Sequence, residues 1–180
     1  MSPDWPLETE RLVLRRYEER DFDLLHRLQS DPEVVKWLYN DTRDEAQTRA
    51  LLERKLAGAE LREEGDWLAC VVDADGEPVG DTSFRWVSKE HRTGEIGFMF
   101  DPRCQGRGYA TEAARAIVGW AFAAGFHRVI GRTEVRNVPS ARVLEKLGMR
   151  LEAHLVENEW VKDEWQSELQ YAILDREWAG

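Results

Sequence analysis

The sequence predicts a mixed α/β fold, in which one twisted sheet carries helices on both faces. Strand-like runs alternate with amphipathic helical stretches along the chain. Asp75-Gly76, between two such runs, is typical of a β-hairpin turn. The run Gly94–Phe100 leads through two glycines into a helical stretch, and we expect it to pair in parallel with Val129–Val135 through that helical crossover.

The first part of the chain contains one strand and three helices in this interpretation. We expect Thr9–Arg16 to form a strand and Asp21–Gln29 an amphipathic helix. Asp31-Pro32 begins a short helix, because Asp is a favoured cap and Pro suits the first helical position. Asp44–Glu64 is predicted to be a longer helix that ends at Gly65.

The remaining chain is predicted to be richer in strands. Two of them pair around the Asp75-Gly76 turn, and Gly94–Phe100 extends them into an antiparallel meander. The helix after the glycines ends near Gly125, and a short helix follows Val129–Val135. The other predicted elements are strands Trp67–Val72 and Pro78–Val87, a helix from Pro139-Ser140 to Gly148, and a hairpin of Arg150–Val161 and Trp165–Leu174 around Lys162-Asp163-Glu164.

Length and composition restrict the function classes. A chain of 180 residues suits one domain over residues 1–180, with residues 1–6 as a flexible tail that has no signal-peptide character. A net charge of −10 disfavours nucleic-acid binding; it either favours cationic partners or only maintains solubility. No apolar stretch approaches ~20 residues, so we expect no membrane span.

Cysteine and histidine usage gives no sign of a metal site. Cys70 and Cys104 lack ligand-like spacing, so we expect free thiols in a reducing cytoplasm. His91, His127 and His154 show no metal-binding spacing either, and we interpret them as surface or structural residues.

The chain is organised around the stretch Arg103–Ala113. Gly106 and Gly108 stand where a strand meets a helix, and without a Cβ they allow a tight turn and close approach of a ligand. The first helical turn leaves backbone N–H groups unpaired at the positive end of the helix dipole. These features predict a diphosphate-binding cradle, although a tight strand-to-helix turn without a ligand is the alternative.

Two motifs carry a resemblance to a known family. Gln105-Gly106-Arg107-Gly108-Tyr109-Ala110 resembles the Q/R-x-x-G-x-G/A signature of the GNAT N-acetyltransferase superfamily. Asn137–Met149 resembles the N-x-x-S-x-x-x-L-E-K-x-G-F/M segment of its RimJ/RimL-type branch, and the likeness extends from about Leu7 to Trp178. It implies a GNAT-type, mostly antiparallel sheet with a splayed parallel strand pair at the cofactor site, and acyl transfer from acetyl-CoA to an amine without a covalent enzyme intermediate.

The resemblance also implies which residues hold coenzyme A. The strand backbone is expected to pair with the pantetheine arm and to place an N–H near the thioester oxygen, although a register shift would put Asp101 in place of Phe98. The glycine loop would hold the diphosphate, and Asn137 would hold the pantetheine amides. Arg142 and Lys146 would meet the phosphates, unless Lys146 belongs to a solvated helix face. The implied cofactor residues are Phe98, Met99, Phe100, Gln105, Gly106, Arg107, Gly108, Tyr109, Ala110, Asn137, Ser140, Arg142 and Lys146.

Proton transfer is assigned to two residues on the same resemblance. Glu95 is either the general base, often through water, or a charge on an exposed strand face; as a base it would need a buried surrounding. Glu112 in the first helical turn instead balances the dipole or anchors a loop. Leu144 stands where many family members carry a tyrosine that acts as general acid. The resemblance to the RimJ/RimL-type branch suggests Ser140 in this role, so Ser140 either protonates the leaving thiolate or caps its helix.

The acceptor is the least defined feature. The fold implies that it is flanked by Trp37, Tyr39 and Asp41 on one side and by Trp160 and Trp165 on the other, unless these aromatic residues belong to the core. We expect a protein or peptide N-terminal α-amine, with a small amine such as a polyamine or aminoglycoside as the alternative. A non-catalytic acyl-CoA-binding sensor is a third reading, and either a monomer or a homodimer is compatible with the sequence.

Overall fold

The computed structural model describes every residue from Met1 to Gly180, and its strands form one sheet. The strands are β1 (Leu7–Glu8), β2 (Leu12–Arg16), β3 (Trp67–Ala74), β4 (Glu77–Ser88), β5 (Thr93–Phe100), β6 (Arg128–Glu134), β7 (Arg150–Val161) and β8 (Glu164–Leu174). The helices are α1 (Phe22–Ser30), α2 (Pro32–Val35), α3 (Glu45–Ala57), α4 (Tyr109–Ala123) and α5 (Val138–Lys146). None of them is long and apolar enough to cross a membrane.

The sheet order is β1-β2-β3-β4-β5-β6-β8-β7, and every neighbouring pair is antiparallel except β5 and β6. The predicted meander of β3, β4 and β5 is confirmed. Its first turn carries Asp75 at φ 53° and Gly76 at φ 81°, as expected for a turn with two positive φ values. The mixed, mostly antiparallel α/β fold is therefore the one that the sequence predicts.

The parallel pair separates after three residues, which confirms the expected splay. β5 and β6 pair at Thr93–Arg128, Gly94–Val129 and Glu95–Ile130, and no further. Beyond that point β5 stays paired with β4, while β6 continues beside β8. One edge of β5 from Ile96 to Phe100 is consequently without a strand partner.

Helices cover both faces of the sheet, as predicted. α4 and α5 pack on one face, where Ile117 and Leu144 join the larger core, and α1 and α3 pack on the other, where Leu25 and Leu52 join a smaller core. Gly94 lets Phe84 pack against the sheet, because a Cβ at that position would lie 1.9 Å from Phe84 Cζ.

α3 is shorter than its hydrophobic pattern suggests. Its start is as expected, with Asp44 accepting from the Gln47 N–H at 2.8 Å in a capping box. The helix ends at Ala57 rather than at Glu64, because Gly58 closes it and Leu61 turns away into the larger core. The apolar periodicity after Gly58 thus reflects tertiary burial and not a continued helix.

The first six residues are packed rather than a flexible tail, so that prediction is wrong. The Met1 carbonyl accepts from the Leu61 N–H at 2.8 Å. Pro3 is buried, and Trp5 packs against the larger core. The same turn that ends α3 gives this segment its partners, which explains why its composition alone was misleading.

Candidate active site

The glycine loop opens a cavity of about 420 Å³ between β5, α4 and α5. Gly106 and Gly108 have φ values of 78° and 83°, a left-handed backbone that favours glycine. Gly108 is the N-cap of α4 and offers no capping side chain, so the first-turn N–H groups remain available to an anion. The predicted cofactor residues that line this cavity are Phe98, Met99, Phe100, Gln105, Gly106, Gly108, Tyr109, Ala110, Asn137, Ser140, Arg142 and Lys146.

Arg107 is the predicted cofactor residue that does not line the cavity. Its carbonyl instead accepts from Arg11 Nη1 at 2.9 Å, which ties the glycine loop to the chain before β2. Glu112 completes this brace by accepting from Thr9 Oγ1 at 2.7 Å and from the Arg11 backbone N–H at 2.9 Å. Burial acts to raise the pKa of Glu112, but these hydrogen bonds outweigh it and lower the pKa. Glu112 is thus an ionised loop anchor.

The strand backbone before the loop has two different edges. The Asp101 N–H points towards β4 and donates to the Val79 carbonyl at 2.9 Å. Because backbone groups alternate along a strand, those of Phe98 and Phe100 point to the unpaired edge and that of Met99 does not. The Asp101 carboxylate is engaged by Arg103 and Arg27, and their hydrogen bonds lower its pKa. Phe98 and Phe100 therefore offer the free backbone, while Met99 offers its side chain.

A second cavity of about 320 Å³ lies over β4, β5, β6 and β8. It meets the first cavity at four shared lining residues: Phe98, Met99, Asn137 and Ser140. The side chains that form its base on β4 and β5 are small at Ser83 and Gly97. A Cβ at Gly97 would lie only 2.7 Å from Ser83 Oγ. The two cavities therefore adjoin at the splayed strands, one on the side of the glycine loop and the other over the sheet.

Glu95 lies in the second cavity and not on an exposed face. Its side chain is 18% exposed and forms an ion pair with Arg132, with distances of 2.9 Å from Nε to Oε1 and 3.1 Å from Nη2 to Oε2. The hydrogen bond to Glu95 raises the pKa of Arg132. Glu95 therefore lies in a half-buried but polar surrounding, with both carboxylate oxygens hydrogen-bonded to one guanidinium.

Ser140 is not the helix cap that sequence reasoning kept as an alternative. α5 begins at Val138, and Asn137 is its N-cap, accepting from the Ser140 N–H at 3.4 Å. The Ser140 hydroxyl has no partner in the protein and lines both cavities. Leu144 is buried one turn later, where a Cβ on Gly131 would come within 2.4 Å of Leu144 Cδ2. The Ser140 hydroxyl is therefore a proton donor without a protein partner at the junction of the two cavities.

Sequence reasoning missed the carboxylates contributed by β6 and β8. Glu134 and Glu168 are paired in register, each is about 5% exposed, and both line the second cavity. Glu168 accepts from Tyr39 OH and from Asn158 Nδ2, and burial followed by this hydrogen bond raises the pKa of Tyr39. The alternation of polar residues along the last strands could have indicated that these side chains share one face of the sheet. Only the pairing of β6 with β8 brings Glu134 and Glu168 together.

The predicted acceptor residues divide into three groups. Trp37 and Tyr39 line the second cavity as expected. Asp41 lies in a neighbouring surface groove. Trp160 and Trp165 do not reach the cavity: they are each 57% exposed and pack edge to face at 5.2 Å between ring centroids. Strand alternation explains this correction, because Gln166 and Glu168 face the cavity and Trp165 therefore points to the other face.

Comparison with known proteins agrees with this geometry. A family model described as an acetyltransferase (GNAT) domain matches residues 11–150. The chain is 31% identical over 173 residues to the uncharacterized N-acetyltransferase YnaD of Bacillus subtilis, covering 96% of this chain and 98% of that one. A GNAT-family acetyltransferase structure from Bacillus anthracis has a TM-score of 0.86 and 34% identity, covering 96% and 99% of the two chains.

Two more distant structures share the fold and contain coenzyme A. Spermidine N-acetyltransferase from Vibrio cholerae, in complex with CoA and spermine, has a TM-score of 0.81 at 19% identity and covers 96% of this chain and all (100%) of that one. RimL, a ribosomal L7/L12 α-N-protein acetyltransferase in complex with CoA, has a TM-score of 0.79 at 20% identity and covers 92% and 95%. At these identities the likeness extends to the fold alone.

Proposed function

This chain belongs to the GNAT acetyltransferase family and is an acetyl-CoA-dependent N-acetyltransferase; we propose that its acceptor is the α-amine of a peptide or protein N-terminus. The observation that carries the proposal is the junction of the two cavities at Phe98, Met99, Asn137 and Ser140. It gives a cofactor arm and an amine separate entrances to one meeting point. Direct attack needs no covalent enzyme intermediate.

The first cavity fits coenzyme A on several grounds. The open N–H groups at the start of α4 suit a diphosphate, and the free backbone of Phe98 and Phe100 suits the amides of the pantetheine arm. Arg142 and Lys146 line the same cavity and supply positive charge for the phosphates. When bound, acetyl-CoA supplies an activated thioester. The Phe98 N–H is the candidate donor to the developing oxyanion.

The choice of acceptor rests on how little help the site gives to deprotonation. In this proposal Glu95 takes the amine proton through water, but both of its carboxylate oxygens already accept hydrogen bonds from Arg132. An α-amine with a pKa of about 8 loses its proton far more readily than a lysine amine with a pKa of about 10.4. The free Ser140 hydroxyl then donates a proton to the leaving thiolate and regains one from solvent. The RimJ/RimL-type branch and a cytoplasmic location belong to the same proposal.

A small-molecule amine, such as a polyamine or aminoglycoside, is the second candidate. Five carboxylate side chains but only two basic ones line the second cavity, which is the acceptor cavity in this proposal. This excess attracts cations and favours an acceptor with several positive charges. The two candidates therefore differ in whether low amine pKa or total charge determines turnover.

Thiol release from acetyl-CoA tests these assignments. The protein is incubated with a panel of peptides with free N-termini, the same peptides with blocked termini and a lysine side chain, and polyamines. Turnover confined to free α-amines supports the proposal, and preferential turnover of polyamines supports the second candidate. Binding of acetyl-CoA without turnover of any amine would identify a sensor and overturn both.

A further inference from the structure

A buried ionic cluster forms the end of the acceptor cavity beneath α3. Asp81 of β4 and Lys55 of α3 both line that cavity and are only 4% and 6% exposed. Lys55 Nζ lies 2.5 Å from Asp81 Oδ2, and Tyr17 OH donates to the same oxygen at 2.6 Å. The Lys55 ammonium also lies 4.8 Å from the Tyr17 ring centroid and 5.2 Å from that of Trp67.

One carboxylate oxygen of this cluster has no partner. Both hydrogen bonds to Asp81 end on Oδ2, so Oδ1 accepts none from the protein. Asp81 Oδ1 is not fully enclosed, since the only fully enclosed side-chain atoms without a partner are the indole nitrogens of Trp5 and Trp86. Because Asp81 lines the second cavity, Oδ1 can meet a ligand there. The Lys55 ammonium has three N–H groups and uses one of them on Asp81. An open acceptor therefore stands beside an ammonium with N–H groups to spare.

The position of the cluster relates it to the junction of the two cavities. Asp81 is paired with Met99, which lines both cavities, and Arg85 is paired with Glu95. Four residues of strand therefore separate Asp81 from the partner of Glu95, about 13 Å at the rise of a β-strand. The small side chains between them, at Ser83 and Gly97, leave the base of the second cavity open. An acceptor of several bonds' length can reach both points.

We propose that this cluster is a subsite, distant from Glu95, which binds an uncharged group of the acceptor that both donates and accepts a hydrogen bond. A hydroxyl or an amide fits, because it can donate to Asp81 Oδ1 and accept from Lys55 Nζ. A second ammonium would be repelled by Lys55, and a carboxylate by Asp81. The inference rests on the proposed function, because it assigns the cavity to the amine acceptor.

Matched ligands test the subsite by binding alone. Calorimetry with the CoA-loaded protein compares ω-amino alcohols, diamines and alkylamines of equal chain length over a series of lengths. At the best length we expect the amino alcohol to bind at least about tenfold more tightly than the alkylamine, and more tightly than the diamine. Amino-acid amides, with and without an N-methylated amide, distinguish an amide from a hydroxyl as the preferred group.

Two double variants, each replacing one ion pair by uncharged residues, make the test specific to the cluster. The double variant Lys55→Met/Asp81→Leu removes both the donor and the acceptor, and should therefore lose the preference for the amino alcohol over the alkylamine. The double variant Arg49→Gln/Glu19→Gln removes another α3 ion pair, of 3.4 Å and outside the cavity, and should keep the preference. If the cluster variant does not fold, the wild-type ligand series still decides the question.

The outcomes separate this inference from the proposed function. Equal affinity of the wild type for amino alcohol and alkylamine at every length, or tightest binding of the diamine, overturns the subsite even if acetyl transfer occurs. A binding preference without transfer to any amine would keep the subsite and overturn the proposed function.

Discussion

Replacing Gly106 with alanine tests the diphosphate cradle. Gly106 has φ 78°, and no atom lies within 4 Å of a Cβ built there, so the variant meets backbone strain but no steric clash. The strain costs about 1–2 kcal/mol, or a fall in Tm of roughly 2–8 °C for a chain of this size. The added methyl would stand where the diphosphate approaches the loop. Loss of one charge-assisted hydrogen bond, about 1.5–3 kcal/mol, weakens CoA binding roughly 10- to 150-fold.

Gly76→Ala is the matched control for this prediction. Gly76 has φ 81° and the same open surroundings, but it lies in the β3–β4 turn. Both variants should lose similar stability in thermal unfolding, and only Gly106→Ala should lose CoA affinity in calorimetry. Gly108 is less suitable, because its Cβ would lie 3.3 Å from Arg11 Nη2 and disturb the loop brace. Equal CoA affinity in the two folded variants would refute the cradle.

The remaining predictions concern protons. Glu95→Gln should lower turnover at pH 7, and the loss should shrink as pH rises because more of the amine is already neutral. The loss should be larger for a lysine-like amine than for an α-amine. A rate–pH profile unchanged from the wild type would remove Glu95 from the mechanism. Ser140→Ala should reduce kcat by up to about 10²-fold and leave Tm and CoA affinity unchanged. Asn137→Ala, which removes the N-cap of α5, should instead cost about 1 kcal/mol of stability. Full activity of Ser140→Ala would leave water as the proton source. Because the pKa of Asp101 is lowered in the folded protein, the ionised carboxylate stabilises the fold above about pH 4, and this contribution is lost as pH falls further. Denaturant unfolding should show that the free energies of unfolding of the wild type and of Asp101→Asn converge as the pH falls below about 4. A difference that stays constant would contradict this account.

The sequence alone determined the features that local chemistry controls. The Asp75-Gly76 turn, the cap and Pro that start α2, and the positive-φ glycines before α4 each follow from conformational preferences of a few residues. The splayed pair and the loop-anchoring role of Glu112 were also anticipated, the first by resemblance and the second by its place in the first helical turn. The turn, the cap and the glycines hold because neighbouring residues suffice to specify them, whereas the splayed pair and the Glu112 anchor have partners distant in sequence.

Tertiary structure decided where chemistry-bearing side chains meet. Glu95 acquires Arg132 from a strand 37 residues later, which changes it from a candidate buried base into half of an ion pair. Asp81 acquires Lys55 from α3, and Glu168 acquires Tyr39 from the loop after α2. None of these pairs has a sequence spacing that marks it.

The same reason explains the wrong predictions. The end of α3 and the packing of Met1 depend on Leu61 reaching a core formed by distant strands, and the exposure of Trp165 depends on which face β8 turns to the cavity. Hydrophobic periodicity records that a residue is buried, but not against what or on which side of the sheet. Strand pairing and helix packing supply that information, because they bring into contact residues that no local preference connects.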